Sequence, residues 1–185
     1  IFKRVDIRFK YNDGYFENQF QGIPKYGYTN MISNMLNHEK IHVKLNSRVT
    51  DFNEIPHDIL IYTGGFDNLP YRSTKFTFKT KKPGQYSVVH TPQHHTPTRY
   101  TNFNILHPSD DYSYNDKHVY CYETPAEINQ YNKLYPISNK ENLALYENEK
   151  DKFLSKYPKA KLLGRLETYQ YYDMDNVILQ AMWLI

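Results

Sequence analysis

A mixed α+β fold, with a mixed or antiparallel sheet flanked by helices, is the class this 185-residue sequence predicts. Three observations carry that expectation. Residues 71–80 alternate cleanly, with Tyr71, Phe76 and Phe78 among Lys, Arg and Thr, as a half-buried strand requires. Other segments space their apolar residues at the helical period. No internal repeat, low-complexity tract or Pro/Gly/Ser linker divides the chain, which has the size of one domain.

The elements follow in order. Residues 1–11 alternate loosely, holding Arg4, Asp6, Arg8 and Lys10 on one parity, and are expected to be extended up to the Asn12-Asp13-Gly14 turn. Thr29 is placed to cap a helix over 29–38, because Met31, Ile32, Met35 and Leu36 share one face. The alternation of Ile41, Val43 and Leu45 predicts a strand over 41–46. The run Ile59-Leu60-Ile61-Tyr62 before Gly64-Gly65 predicts a strand over 58–63, buried more deeply than its neighbours because it is apolar without alternation. Residues 83–118, rich in His, Pro, Thr, Tyr and Asp, read as the least regular part. Ser138-Asn139-Lys140-Glu141 has capping-box spacing and opens a helix over 139–157, stopped by Pro158. A short strand over 161–166, interrupted by Gly164, precedes a last helix over 174–185 that residues 173–175 cap.

Composition narrows the function classes. Lys and Arg number 23 against 20 Asp and Glu, a net charge of +3 too balanced and too dispersed for a nucleic-acid footprint. The single cysteine, Cys121, excludes an internal disulfide and a cysteine-based zinc site, and fits a reducing, cytoplasmic setting. No apolar run approaches the ~20 residues of a membrane span. Tyrosine is the outlier, 19 residues against 7 glycines, giving many hydroxyls that can sit on an apolar wall and still hydrogen-bond. The chain opens at Ile1 rather than Met and stops inside an apolar stretch, so both ends read as cut.

The sequence holds no glycine-rich dinucleotide fingerprint, Walker loop, His-Glu-x-x-His or Gly-x-Ser-x-Gly motif. His94-His95 lacks convincing metal-ligand spacing, so no metal is expected. What the sequence does hold is a set of arginines (Arg4, Arg8, Arg72, Arg99, Arg165) and tyrosines (Tyr15, Tyr135, Tyr171, Tyr172) near strand ends and turns. A guanidinium is a planar fork for phosphate oxygens, and a tyrosine is a neutral donor on a rigid ring. Together they suit a diphosphate in a partly desolvated cleft. Singly, each has an ordinary reading as a surface ion pair or a packed ring with its hydroxyl in water.

The order of these residues resembles the UDP-galactopyranose mutase family. Arg4-Val-Asp-Ile-Arg8, Tyr15-Phe16 and Phe20-Gln21-Gly22-Ile23-Pro24 through Gly27-Tyr28-Thr29 are similar to the family's opening motif, and the likeness runs on to Ile41. Ile61-Tyr62-Thr63-Gly64 with Asp67, Tyr71-Arg72-Ser73 with Phe76, and Leu134-Tyr135-Pro136-Ile137 are similar to three further blocks. Gly164-Arg165-Leu166 through Thr168-Tyr169, Tyr171-Tyr172 and Asp173-Met174-Asp175 is similar to the last. The likeness covers nearly the whole chain but only the second half of the family's length. His90 stands where the family has an asparagine near sugar and flavin.

The resemblance implies a function. In that family a reduced flavin (FAD) attacks the anomeric carbon of UDP-galactose and expels UDP, and the sugar then recloses as the furanose, a precursor of cell-surface polysaccharide. The protein holds the diphosphate and screens its charge. Carried over residue by residue, Arg4 and Arg99 are the catalytic arginines that close over the diphosphate. Tyr15, Tyr135, Tyr171, Asp173 and Arg72 bind it, and Gly164 and Arg165 lie beside the cofactor. Residues 1–160 correspond to a substrate-binding sheet region with helices. Residues 161–185 correspond to a strand–turn–helix that would complete a flavin-binding domain. The flavin-binding N-terminal half is absent, so FAD is not expected on this chain alone, and a portion or partner supplying that half is implied; an oligomer is possible. The alternative is a truncated, non-catalytic relative serving as a structural or glycan/nucleotide-binding module.

Overall fold

The computed structural model describes residues 19–91, 97–106, 117–128 and 133–184. The chain forms two compact units, residues 1–43 and 44–185. The expected extended segment at 1–11, with Arg4 and Tyr15 in and after it, lies outside the described residues.

In the first unit the described element is α1 (Gly27–Leu36). It starts two residues before the expected site, and Thr29 is not its cap: the N-cap is Tyr26, without a side-chain cap bond. Gly27, at φ +78°, supplies a left-handed entry that side chains rarely adopt, so the turn made by Gly27 N–H on the Pro24 carbonyl sets the start.

The second unit is α+β, as the alternation implied. Its main sheet is five-stranded and antiparallel, in the order β3-β4-β5-β2-β6. The strands are β2 (Tyr71–Lys81), β3 (Val88–His90), β4 (Arg99–Asn102), β5 (His118–Ala126) and β6 (Tyr135–Pro136). A second, two-stranded sheet pairs β1 (Leu60–Tyr62) with β7 (Ala160–Leu162) in parallel. Helices α2 (Phe103–Leu106), α3 (Lys140–Lys156) and α4 (Met174–Trp183) complete it. Asn139 caps α3 by accepting from the Asn142 N–H at 2.8 Å, and Asp173 is the N-cap of α4.

Three expectations fail here. Residues 41–46 are not a strand: Ile41, Val43 and Leu45 are exposed, and among the described residues no strand edge pairs with them to make a ladder. The strand at 60–62 is real but is not the most buried. Ile61 is 49 % exposed, whereas Tyr71, Tyr120 and Cys121 on β2 and β5 are nearly inaccessible. The apolar run is suited to cover on both faces, and among the described residues β1 has only β7 beside it. Finally, the stretch read as irregular holds β3, β4 and the start of β5. Its strands escape a polarity pattern because β5 alternates tyrosine against Val119, Cys121 and Glu123, with a tyrosine hydroxyl where a methyl would normally mark the inner face.

The core is aromatic. Phe66, Leu69, Tyr71, Tyr146 and Tyr169 are buried together, with Tyr62, Ile128, Phe153 and Leu166 packed against them. Tyr146 of α3 stacks on Tyr169 at 5.7 Å, and Tyr71 meets Tyr169 edge-on at 5.5 Å. Each buried phenol needs a hydrogen-bond acceptor. The Tyr169 hydroxyl donates to the Pro70 carbonyl at 2.6 Å, and that of Tyr71 to the Leu166 carbonyl at 3.2 Å. These two bonds tie the segment after β7 to the start of β2.

Candidate functional site

The antiparallel register decides which side chains share a face. Arg99 on β4 lies opposite His90 on β3 and Glu123 on β5, and Glu123 lies opposite Phe76 on β2. Arg72 shares the parity of Phe76 and is paired with Tyr135 on β6. One face of the sheet therefore carries His90, Arg99, Glu123, Arg72 and Tyr135, drawn from five strands.

The turn after β7 brings two more residues to it. Arg165 places its guanidinium 5.1 Å from the ring centre of Tyr135 and 5.4 Å from that of Tyr171. The two rings stack at 5.9 Å, and Arg72 lies 6.0 Å from the Tyr135 centre. Two cations thus flank a pair of parallel phenols. Arg99 donates from Nε and Nη2 to the two carboxylate oxygens of Glu123, both at 2.7 Å. Those bonds raise Arg99's already high pKa, burial opposes them, and the nearby phenols of Tyr135 and Tyr171 add to the upward pull.

The turn itself is well braced. Gly164, at φ +100°, has no heavy atom within 4 Å of where a Cβ would stand. Its carbonyl accepts from both the backbone N–H and the hydroxyl of Thr168, and the Arg165 carbonyl accepts from the Gln170 N–H. Tyr169 sits at φ +53°, uncommon for a bulky side chain, and is held there by complete burial and its hydroxyl bonds. Glu167 is equally inaccessible, and neither carboxyl oxygen has a hydrogen-bond partner. Burial pushes its pKa up to about 9, so it is neutral at pH 7.

The structure therefore brings together Arg72, Arg99, Arg165, Tyr135 and Tyr171, which are far apart in sequence. Asp173 is exposed at the N-cap of α4, and no described contact joins it to the cluster. Gly164 forms the turn that delivers Arg165. Arg4 and Tyr15 fall outside the described residues. Sequence reasoning missed Glu123; its signal was a lone carboxylate in the run His118-Val-Tyr-Cys-Tyr-Glu-Thr, invisible while β5 itself went unread. Among the described residues no cluster of His, Cys, Asp or Glu suits a metal ion, and no helix is long and apolar enough to cross a membrane.

Gly164 leaves open space and Arg165 a charge, but a dinucleotide pyrophosphate needs a glycine-rich turn feeding a helix N-terminus, and no such motif occurs in the sequence.

The chain is thus an α+β protein in which three arginines and two tyrosines meet at one face of an antiparallel sheet. Comparison with known proteins gives the particular family. Residues 1–171 match the family model described as UDP-galactopyranose mutase, and the chain belongs to that family. A probable UDP-galactopyranose mutase of Klebsiella pneumoniae is 31 % identical over 98 % of this chain and 50 % of its own length. The UDP-galactopyranose mutase of Mycoplasma genitalium is 33 % identical over 97 % of this chain and 50 % of its own. A dTDP-fucopyranose mutase of Escherichia coli is 28 % identical over 98 % and 52 %. The chain spans about half the length of these relatives.

Proposed function

We propose that this chain forms the diphosphate-holding wall of a flavin-dependent mutase that interconverts UDP-galactopyranose and UDP-galactofuranose. The observation that supports this best is the meeting of Arg72, Arg99 and Arg165 with Tyr135 and Tyr171, because unrelated surface arginines would be scattered.

The division of labour follows from chemistry. Arg165 and Arg72 supply charge to the diphosphate oxygens, and the Tyr135 and Tyr171 hydroxyls donate to them. The stacked rings displace water and strengthen both. Arg99, aimed by Glu123, adds a fixed positive edge on the same face. As the bond from sugar to diphosphate breaks, the leaving group gains negative charge, and this preset array stabilises it without reorganising. The family resemblance assigns Arg4, Tyr15 and Asp173 to the same group; Arg4 and Tyr15 lie outside the described residues. In this reading the redox cofactor is held mainly by the part of the family's length that this chain does not span. Two exposed apolar surfaces support such a partner portion: Ile61 on β1 with Ile59 just before it, and Ile178, Leu179, Met182 and Trp183 on α4. In this reading residues 161–185 complete the flavin-binding domain.

The test is calorimetric titration of the protein with UDP, followed by mutase turnover once the missing half is supplied. Measurable UDP affinity, weakened roughly tenfold or more by Arg165→Ala, is expected. Affinity unchanged in a combined Arg165→Ala, Tyr135→Phe, Tyr171→Phe variant would sink the proposal. The engagement of Arg99 by Glu123 favours a second reading, a non-catalytic nucleotide-binding relative. The readings part on turnover: UDP binding without conversion by the reconstituted protein selects the second.

A further inference from the structure

The reverse face of the main sheet carries a second concentration of cations and rings. Antiparallel register puts Lys79 opposite Tyr120, Lys81 opposite His118, and Tyr100 opposite Tyr122, all pointing away from the Arg99–Glu123 row. There Lys81, Lys82, Thr91, Pro97, Tyr100, Tyr120 and Tyr122 line a pocket of about 420 Å³. That volume lies within the ~300–1,000 Å³ usual for small-molecule sites.

The pocket is built on a rigid floor. Tyr120 is 5 % exposed; its hydroxyl donates to the Lys82 carbonyl at 3.1 Å and accepts from Asn102 Nδ2 at 3.2 Å. Asn102 is wholly buried. Gly84 allows this packing, since a Cβ there would stand 2.6 Å from the Tyr120 hydroxyl oxygen. The walls are Tyr100 and Tyr122, 5.6 Å apart and tilted by 34°. Lys81 lies 4.9 Å and Lys79 5.8 Å from the Tyr122 ring centre. Among the described residues, no carboxylate forms an ion pair with Lys79, Lys81 or Lys82. Hydrogen bonding to Tyr122 holds the Lys81 ammonium above its ordinary pKa, so the charge persists throughout the physiological range.

Ammonium groups that have no carboxylate partner among the described residues, set beside tyrosine faces, satisfy two halves of one ligand: an anionic group and a ring that packs on aromatic surface. We propose that this reverse-face pocket binds a phosphorylated sugar or nucleoside, with its phosphate at Lys81 and its ring against Tyr100 and Tyr122. The site is separate from the arginine cluster and does not depend on the function proposed for it.

Calorimetric titration with uridine 5′-monophosphate, ribose 5-phosphate, inorganic phosphate and uridine tests this. At least one of the first two should bind more tightly than inorganic phosphate or uridine alone. Preference between those two identifies the ring. The exposed-residue variant Lys81→Gln/Lys82→Gln should weaken that binding roughly tenfold or more, and Arg165→Ala on the other face should leave it unchanged. A second variant, Tyr122→Leu, should reduce the advantage over inorganic phosphate while leaving the phosphate affinity itself in place. The proposal is overturned by no binding at millimolar ligand, by equal affinity for phosphate and its esters, or by binding that survives Lys81→Gln/Lys82→Gln but is lost in Arg165→Ala.

Discussion

Arg99 and Glu123 face each other across β4 and β5 and are joined by two parallel N–H···O bonds of 2.7 Å. The fork-to-fork geometry fixes the guanidinium plane as well as its position. Glu123 is largely shielded while Arg99 keeps a partly open side. One edge of Arg99 is thus committed to the protein and the rest is left to face the sheet surface, where Tyr135 and Tyr171 also act on it.

Glu123→Gln keeps the shape of this pair but removes its negative charge. It should cost about 1–3 kcal/mol of stability, read as a lower urea midpoint with an unchanged slope. An unchanged midpoint would mean that the pair does no more than an exposed surface bridge.

Arg165 reaches the rings of Tyr135 and Tyr171 from a turn, not from a strand, so its removal should leave the sheet intact. If the proposed mutase function holds, Arg99→Ala or Arg4→Ala in the reconstituted protein should lower turnover by roughly a hundredfold or more, because charge would grow on the leaving diphosphate. Tyr135→Phe keeps the stacked ring and loses one neutral hydroxyl, so about tenfold or less is expected. Steady-state turnover of the three variants checks the order. A Tyr135→Phe effect as large as that of Arg99→Ala would contradict the charge-screening account.

The separate legibility of fold and site has a physical basis. Strand β2 and helix α3 were readable because Tyr71–Thr80 alternates and Asn139 precedes a helical-period run. Strand β5 was not, since Tyr120 and Tyr122 pack as apolar residues on one face while Glu123 is paired on the other. Polarity therefore stops reporting burial. The strand expected at 41–46 failed for the opposite reason: its pattern is correct, but a strand needs an edge to pair against and none among the described residues pairs with it. The site was legible as residue types, and Tyr135, Tyr171 and Arg165 do meet. Glu123 was hidden because its meaning depends on register with Arg99, which spacing along one segment cannot reveal.

Glu167 makes stability depend on pH. Its carboxyl is pushed up to about 9 in the folded protein from an ordinary value near 4.5, so the folded state binds the proton more tightly. Its contribution is fully present below about pH 4.5 and declines through the window up to about pH 9, by roughly 1.4 kcal/mol per pH unit at most. Glu167→Gln should remove that slope and raise stability at pH 8 relative to the parent. Urea midpoints measured at pH 5, 6.5 and 8 decide it, and parallel profiles for parent and variant would show that Glu167 does not titrate with unfolding.

Helix α4 and strand β1 give the last expectation. Met182 and Trp183 are 67 % and 76 % exposed, and Ile178 and Leu179 are open beside them. Within this chain these side chains contribute little burial, so replacing them should not unfold it. Ile178→Glu/Met182→Glu should therefore leave the urea midpoint within about 0.5 kcal/mol of the parent. If the surface receives the flavin-binding half, the same change puts two charges into an apolar interface, where unpaired burial is strongly unfavourable. Association with that half, measured by co-purification and by flavin retained on the reconstituted protein, should then fall at least tenfold. A destabilised isolated chain would place the helix face in the chain's own core. Undiminished association would place the second half on a different surface.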